Sequence, residues 1–116
     1  MAYDPISQRF LVVWEDYRSF SSNDIYGQRI STDGMYIGEN FTISAGAGEQ
    51  WFPSVAYDPV AQGFLVVRTN FNSYTWGIYG QRVSPDGSLI GGDIPISIAA
   101  NSPDEQWDPS LTYDPV

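Results

Sequence analysis

A chain of 116 residues with a net charge of -9, 42% hydrophobic and 16% aromatic residues has the length of one domain and enough apolar material for a core. That excludes a multidomain enzyme and a disordered chain. There is no His, Cys or Lys, and the five basic residues are Arg9, Arg18, Arg29, Arg68 and Arg82. This excludes imidazole and thiolate nucleophiles or metal sites, disulfides, Schiff bases, a P-loop and a basic patch for nucleic acid.

In chain order, the sequence opens on Ala2-Tyr3-Asp4-Pro5, a motif that recurs later, so no signal peptide is expected in this chain. Phe10-Leu11-Val12-Val13 reads as a strand, and 14–24 as a polar and aromatic loop. Ile25-Tyr26-Gly27-Gln28-Arg29 reads as the next strand, followed by an Asp33-Gly34 turn. The pattern then restarts. Strands are predicted over Pro53–Tyr57, Phe64–Val67, Ile78–Val83 and Ile94–Ile98, with turns at Asp58-Pro59 and Pro85-Asp86-Gly87. Phe64–Val67 is continuously apolar, as in a strand buried on both faces, and Pro95 assigns Ile94–Ile98 to a sheet edge. A last strand is predicted over Pro109–Tyr113. No stretch has helical periodicity, and no apolar run nears the roughly 18 residues of a membrane span.

The chain is therefore a repeat. Tyr3-Asp4-Pro5 returns as Tyr57-Asp58-Pro59 and Tyr113-Asp114-Pro115, and Gln50-Trp51 returns as Gln106-Trp107. Offsets run from 53 (Ile25 to Ile78) to 56 (Gln50 to Gln106), and they drift only in polar stretches. The repeats span 2–55 and 56–111, with 112–116 beginning a third. Four short strands per repeat of about 50 residues define an all-β chain of two four-stranded antiparallel β-propeller blades. One blade cannot bury both faces, so blades stack. The first blade's opening strand is cut short, and Pro109–Tyr113 of another copy would supply it. Closure into a full propeller then follows by homo-oligomerisation, with three chains and six blades as the expectation.

The blocks Gly63-Phe64-Leu65-Val66-Val67, Ile78-Tyr79-Gly80-Gln81-Arg82, Asp86-Gly87 and Gln106-Trp107-Asp108-Pro109-Ser110-Leu111 resemble a tandem repeat of large bacterial and archaeal secreted or cell-surface proteins. The resemblance covers both repeats and implies an extracellular scaffold or adhesive role. It transfers no catalytic residue.

Residues that recur in every repeat are read as fold positions: Tyr57 and Asp58 at the turn, Arg29 and Arg82, and Trp51 and Trp107 packing between blades. The loop after the second strand differs between repeats. Tyr17, Phe20, Phe71, Tyr74 and Trp76 lie there among hydroxyl and amide side chains, a mixture suited to glycans. Glu15, Asp16 and Asp24 offer oxygen ligands for Ca²⁺, but their counterparts Thr69, Asn70 and Gly77 do not, and no metal or other cofactor is expected. Glu15 and Asp16 also make a poor acid/base pair, since neighbours on a strand face opposite ways. Ser84-Pro85-Asp86-Gly87-Ser88 lacks the spacing and Trp of a sialidase-type turn. The expectation is a non-catalytic, self-assembling module whose partner is itself. Glycan binding is the alternative, and neither nucleic acid nor membrane is a partner.

Overall fold

The computed structural model describes residues 1–46, 48–72 and 75–100, apart from the side chains of 72, 75, 76 and 97–100. Eight strands follow in order: β1 (Ala2–Asp4), β2 (Arg9–Asp16), β3 (Asp24–Ser31), β4 (Tyr36–Ser44), β5 (Glu49–Asp58), β6 (Gly63–Asn72), β7 (Thr75–Val83) and β8 (Leu89–Ala100). They form two four-stranded antiparallel sheets, β1-β2-β3-β4 and β5-β6-β7-β8, in which chain neighbours are sheet neighbours. The fold is all-β.

Each strand of the second repeat extends beyond its predicted apolar segment. Periodicity registers only the buried stretch, whereas a ladder continues wherever both chains still offer N–H and C=O groups. Pro95 sits on β8, the edge strand. The sheet changes over at 45–48, while the 2–55 and 56–111 limits count the period from the Tyr-Asp-Pro block. The strand predicted over Pro109–Tyr113 lies outside the described residues, as do Trp107 and 112–116.

The two sheets share their register. Leu11 pairs with Arg29 as Leu65 pairs with Arg82, and Val13 with Gly27 as Val67 with Gly80. Both outer pairs carry a bulge, at Gly27/Arg29 and at Gly80/Arg82. The Gln of each Tyr-Gly-Gln-Arg block fills it. Gln28 Nε2 donates to the carbonyls of Arg29, Ile37 and Gly38 at 2.9, 3.4 and 3.1 Å, and Gln81 Nε2 to those of Arg82, Ile90 and Gly91 at 3.0, 3.4 and 3.1 Å. Gly38 (φ 70°) and Gly91 (φ 69°) take the left-handed conformation that such a bulge requires.

Period-2 alternation gives each sheet two faces. Leu11, Ile25 and Ile43 of the first sheet pack against Val55, Tyr57, Phe64, Val66 and Val83 of the second in one core, with Ala2, Val13 and Phe41 partly buried against it. Gly27 lies where the covered face is tightest: a Cβ there would stand 2.7 Å from Ile43 Cδ1.

Candidate functional site

Polar contacts bridge the two sheets at both ends of the core. At one end, Arg9 and Arg29 donate to the Pro85 carbonyl at 3.3 and 3.5 Å, in the turn after β7. Arg82 holds the same register position on β7, opposite Leu65 and Ile90. Asp4 is buried and caps its turn, accepting from Ile6 N at 2.9 Å and from the Ser7 hydroxyl. Asp58 accepts from Val60 N at 2.9 Å at the matching turn. The Tyr57 hydroxyl is buried beside the Asp4 carboxylate but falls short of good hydrogen-bond geometry. Burial first, and then Asp4, push the Tyr57 pKa up to about 12. Burial works to raise Asp4 as well, but the bonds from Ser7 and the backbone, together with the neighbouring Tyr57 hydroxyl, outweigh it and leave its pKa lowered.

At the other end, Glu15 accepts from Phe52 N at 3.0 Å and Glu49 from Asn23 N at 3.0 Å. Gln50 N donates to the Asn23 carbonyl at 3.1 Å. Asp16 is taken by Arg18, whose Nε and Nη2 lie 2.8 and 2.7 Å away, and by Trp14 Nε1 at 3.0 Å; these contacts hold its carboxyl well below the usual range. Asp24 is pushed the other way, by burial first and then by the charges of Asp16 and Glu49. Of the three carboxylates weighed as calcium ligands, Glu15 and Asp16 thus serve backbone and side-chain donors. Among the described residues no group of three or more acidic side chains gathers as a metal site.

The loop aromatics form two separate ring pairs. Tyr17 and Phe20 are exposed and meet edge to face, centroids 6.4 Å apart, with the Tyr17 hydroxyl donating to the Phe20 carbonyl. Beside them, Arg18 lies 3.9 Å over the Tyr26 ring. Phe71 belongs to β6 and stacks on Trp51 at 6.1 Å and 7°. Trp51 stands inside β5, next to the irregularity where Phe52 adopts φ 55°. Tyr74 and the Trp76 side chain lie outside the described residues.

A cleft between the sheets was not legible in the sequence. It holds about 260 Å³ and is lined by Ser44, Gln50, Arg68, Asn70, Tyr79 and Asp93, with Ala45 and Gly46 at its side. The Arg68 side chain is only 4% exposed, and its Nη1 and Nη2 pair with Asp93 at 3.3 and 3.0 Å. The Arg68 Nε is buried without a partner among the described residues. Gln50 ties down the adjoining connection once its amide is oriented to suit its neighbours: the nitrogen then donates to Ser44 Oγ at 2.6 Å and Ser44 O at 2.9 Å, and the oxygen accepts from Gly46 N at 3.0 Å. The signal that could have found this cleft is a break in the repeat, because Arg68 and Asp93 stand where the first repeat has Trp14 and Asn40.

A second groove of about 310 Å³ lies on the first sheet, lined by Val12, Trp14, Gln28, Ile30, Tyr36 and Asn40. Comparison with protein families, curated proteins and solved structures finds no match to this chain.

Proposed function

We propose that this chain is a non-catalytic pair of β-propeller blades that assembles head to tail with copies of itself into a closed ring, with a scaffold or interaction role. One observation carries the reading: the apolar face that each sheet buries is only partly covered on its counterpart. The first sheet packs through Leu11, Phe41 and Ile43; their equivalents on the second sheet are Leu65, Ile94 and Ile96. Ile43 is 3% exposed and Ile96 is 53% exposed. The second sheet packs through Tyr57, Phe64, Val66 and Val83, whose equivalents are Tyr3, Phe10, Val12 and Ile30, and Tyr3 is 37% exposed against 9% for Tyr57. The Val12 and Ile30 groove is thus the counterpart of a surface that already buries a sheet within the chain. A second copy presenting Leu65, Ile94 and Ile96 would repeat an interface the chain makes once. Arg82 would then meet the neighbour's turn at Thr32, as Arg29 meets Pro85.

Such an interface is heterologous, so it closes or grows into fibres. Propellers of about four to eight blades close with two to four of these chains, and three chains with six blades lie in the middle of that range. The motif resemblance to secreted and surface repeats agrees with a scaffold role outside the cell. Glycan recognition at exposed Tyr17 and Phe20 is the second reading; it would add avidity to a ring.

The test is solution mass by light scattering. Three chains of 12.9 kDa weigh 38.7 kDa, and Ile96→Glu or Val12→Glu should return the mass to one chain while far-UV circular dichroism stays unchanged. A folded monomer at high concentration overturns the proposal.

A further inference from the structure

We infer that Asn40 is an acceptor site for an N-linked glycan, and that a glycan there keeps the chain from binding a second copy. The acceptor site stands on one chain alone; the block rests on the assembly proposed above.

The acceptor pattern is Asn followed two residues later by Ser or Thr, with any residue but Pro between them. Of Asn23, Asn40, Asn70, Asn72 and Asn101, only Asn40 meets it, in Asn40-Phe41-Thr42. The structure presents this tripeptide to solvent. It lies on β4, the edge strand of the first sheet. Phe41 pairs with Gly27 and packs against the core, which anchors the segment. Its two neighbours on the strand point the other way, and Asn40 and Thr42 are both exposed. Asn40 also stands in the bulge between the Arg29–Ile37 and Gly27–Phe41 pairs, where the regular ladder is interrupted. The second repeat has Asp93-Ile94-Pro95 at these positions, so the fold does not require the pattern.

The donor is an oligosaccharide carried on a polyisoprenoid diphosphate. Asn40 Nδ2 forms a bond to the anomeric carbon, the bond from that carbon to the diphosphate oxygen breaks, and the lipid diphosphate leaves. One amide proton goes to a base on the transferase. The consequence follows from where Asn40 stands: it lines the same groove as Val12, Trp14 and Ile30, the surface assigned to a second copy. The core of a protein interface is close-packed, and burying hydroxyls without partners is costly. An oligosaccharide rooted in the groove fills it and holds it hydrated, so modification and assembly exclude each other.

The test compares the full chain made in two ways. Secreted from a eukaryotic host, it meets the lipid-linked donor and the transferase; made in a bacterial cytosol, it does not. Intact mass and peptide mapping of the secreted chain should show a glycan on Asn40 that peptide N-glycosidase removes. Thr42→Ala should lose it and Thr42→Ser keep it. A secreted chain without a glycan, or one whose occupancy ignores Thr42→Ala, overturns the acceptor site. Light scattering then reads the block. The unmodified chain should show the mass of the assembly, and the glycosylated chain the mass of one chain plus its glycan, with the same far-UV circular dichroism. Equal assembly of the two forms overturns the block. A chain that is monomeric in both forms overturns the assembly instead, and the acceptor site stands.

Discussion

Gly27→Ala tests how the shared core is packed. An alanine here would ordinarily help, because Gly in a strand interior is worse than Ala by roughly 0.5–1 kcal/mol. The added Cβ, however, would lie 2.7 Å from Ile43 Cδ1, 3.2 Å from Leu11 Cδ1 and 3.3 Å from Phe41 Cζ. Carbon atoms settle at about 3.5–4.0 Å. Leu11 and Ile43 are fully buried and cannot swing into solvent. Overpacking of this kind costs about 1–3 kcal/mol and reverses the sign, leaving a net loss on the order of 1 kcal/mol. For a chain of this size that is a fall of about 4 °C in Tm. The decisive assay is a double-mutant cycle in urea with Ile43→Val, which deletes the closest atom. Alone, Ile43→Val should cost about 0.5–1.5 kcal/mol. Combined with Gly27→Ala it should cost less than the two separate losses together, with a coupling on the order of 1 kcal/mol. Additive losses, or a Gly27→Ala chain more stable than its parent, would refute the packing argument.

Two further outcomes follow from the polar structure. Gln81→Leu removes the donor that serves the carbonyls of Arg82, Ile90 and Gly91, and should cost about 1–3 kcal/mol in urea denaturation; no loss would show that the bulge is held by its glycine alone. Asp24→Asn should raise Tm at pH 7. The carboxyl's pKa is raised by burial and then by Asp16 and Glu49, so its ionised form weakens the fold above that pKa, and the advantage of Asn should shrink as pH falls through it. A gain that stays constant with pH would discard that cause.

The sequence by itself determined the strand type and count per repeat, because apolar residues alternate or run in short blocks between Asp-Pro and Asp-Gly turns. The recurrence of Tyr-Gly-Gln-Arg marked a fold position, and the reason is local: its Gln closes a bulge within a few residues of itself. Alternation also implied two faces for each sheet. It did not say which face of the first sheet meets which face of the second, since both are apolar: Leu11 and Phe10 look alike in one dimension. Only the tertiary structure separated buried Leu11 and Ile43 from exposed Ile94 and Ile96. It also set Glu15 against Phe52 N, 37 residues away. The Arg68 cleft was hidden for the same reason. Its walls come from the end of β4, the start of β5 and strands β6, β7 and β8 of the second sheet, and no short-range pattern records a contact between segments that the chain brings together only by folding.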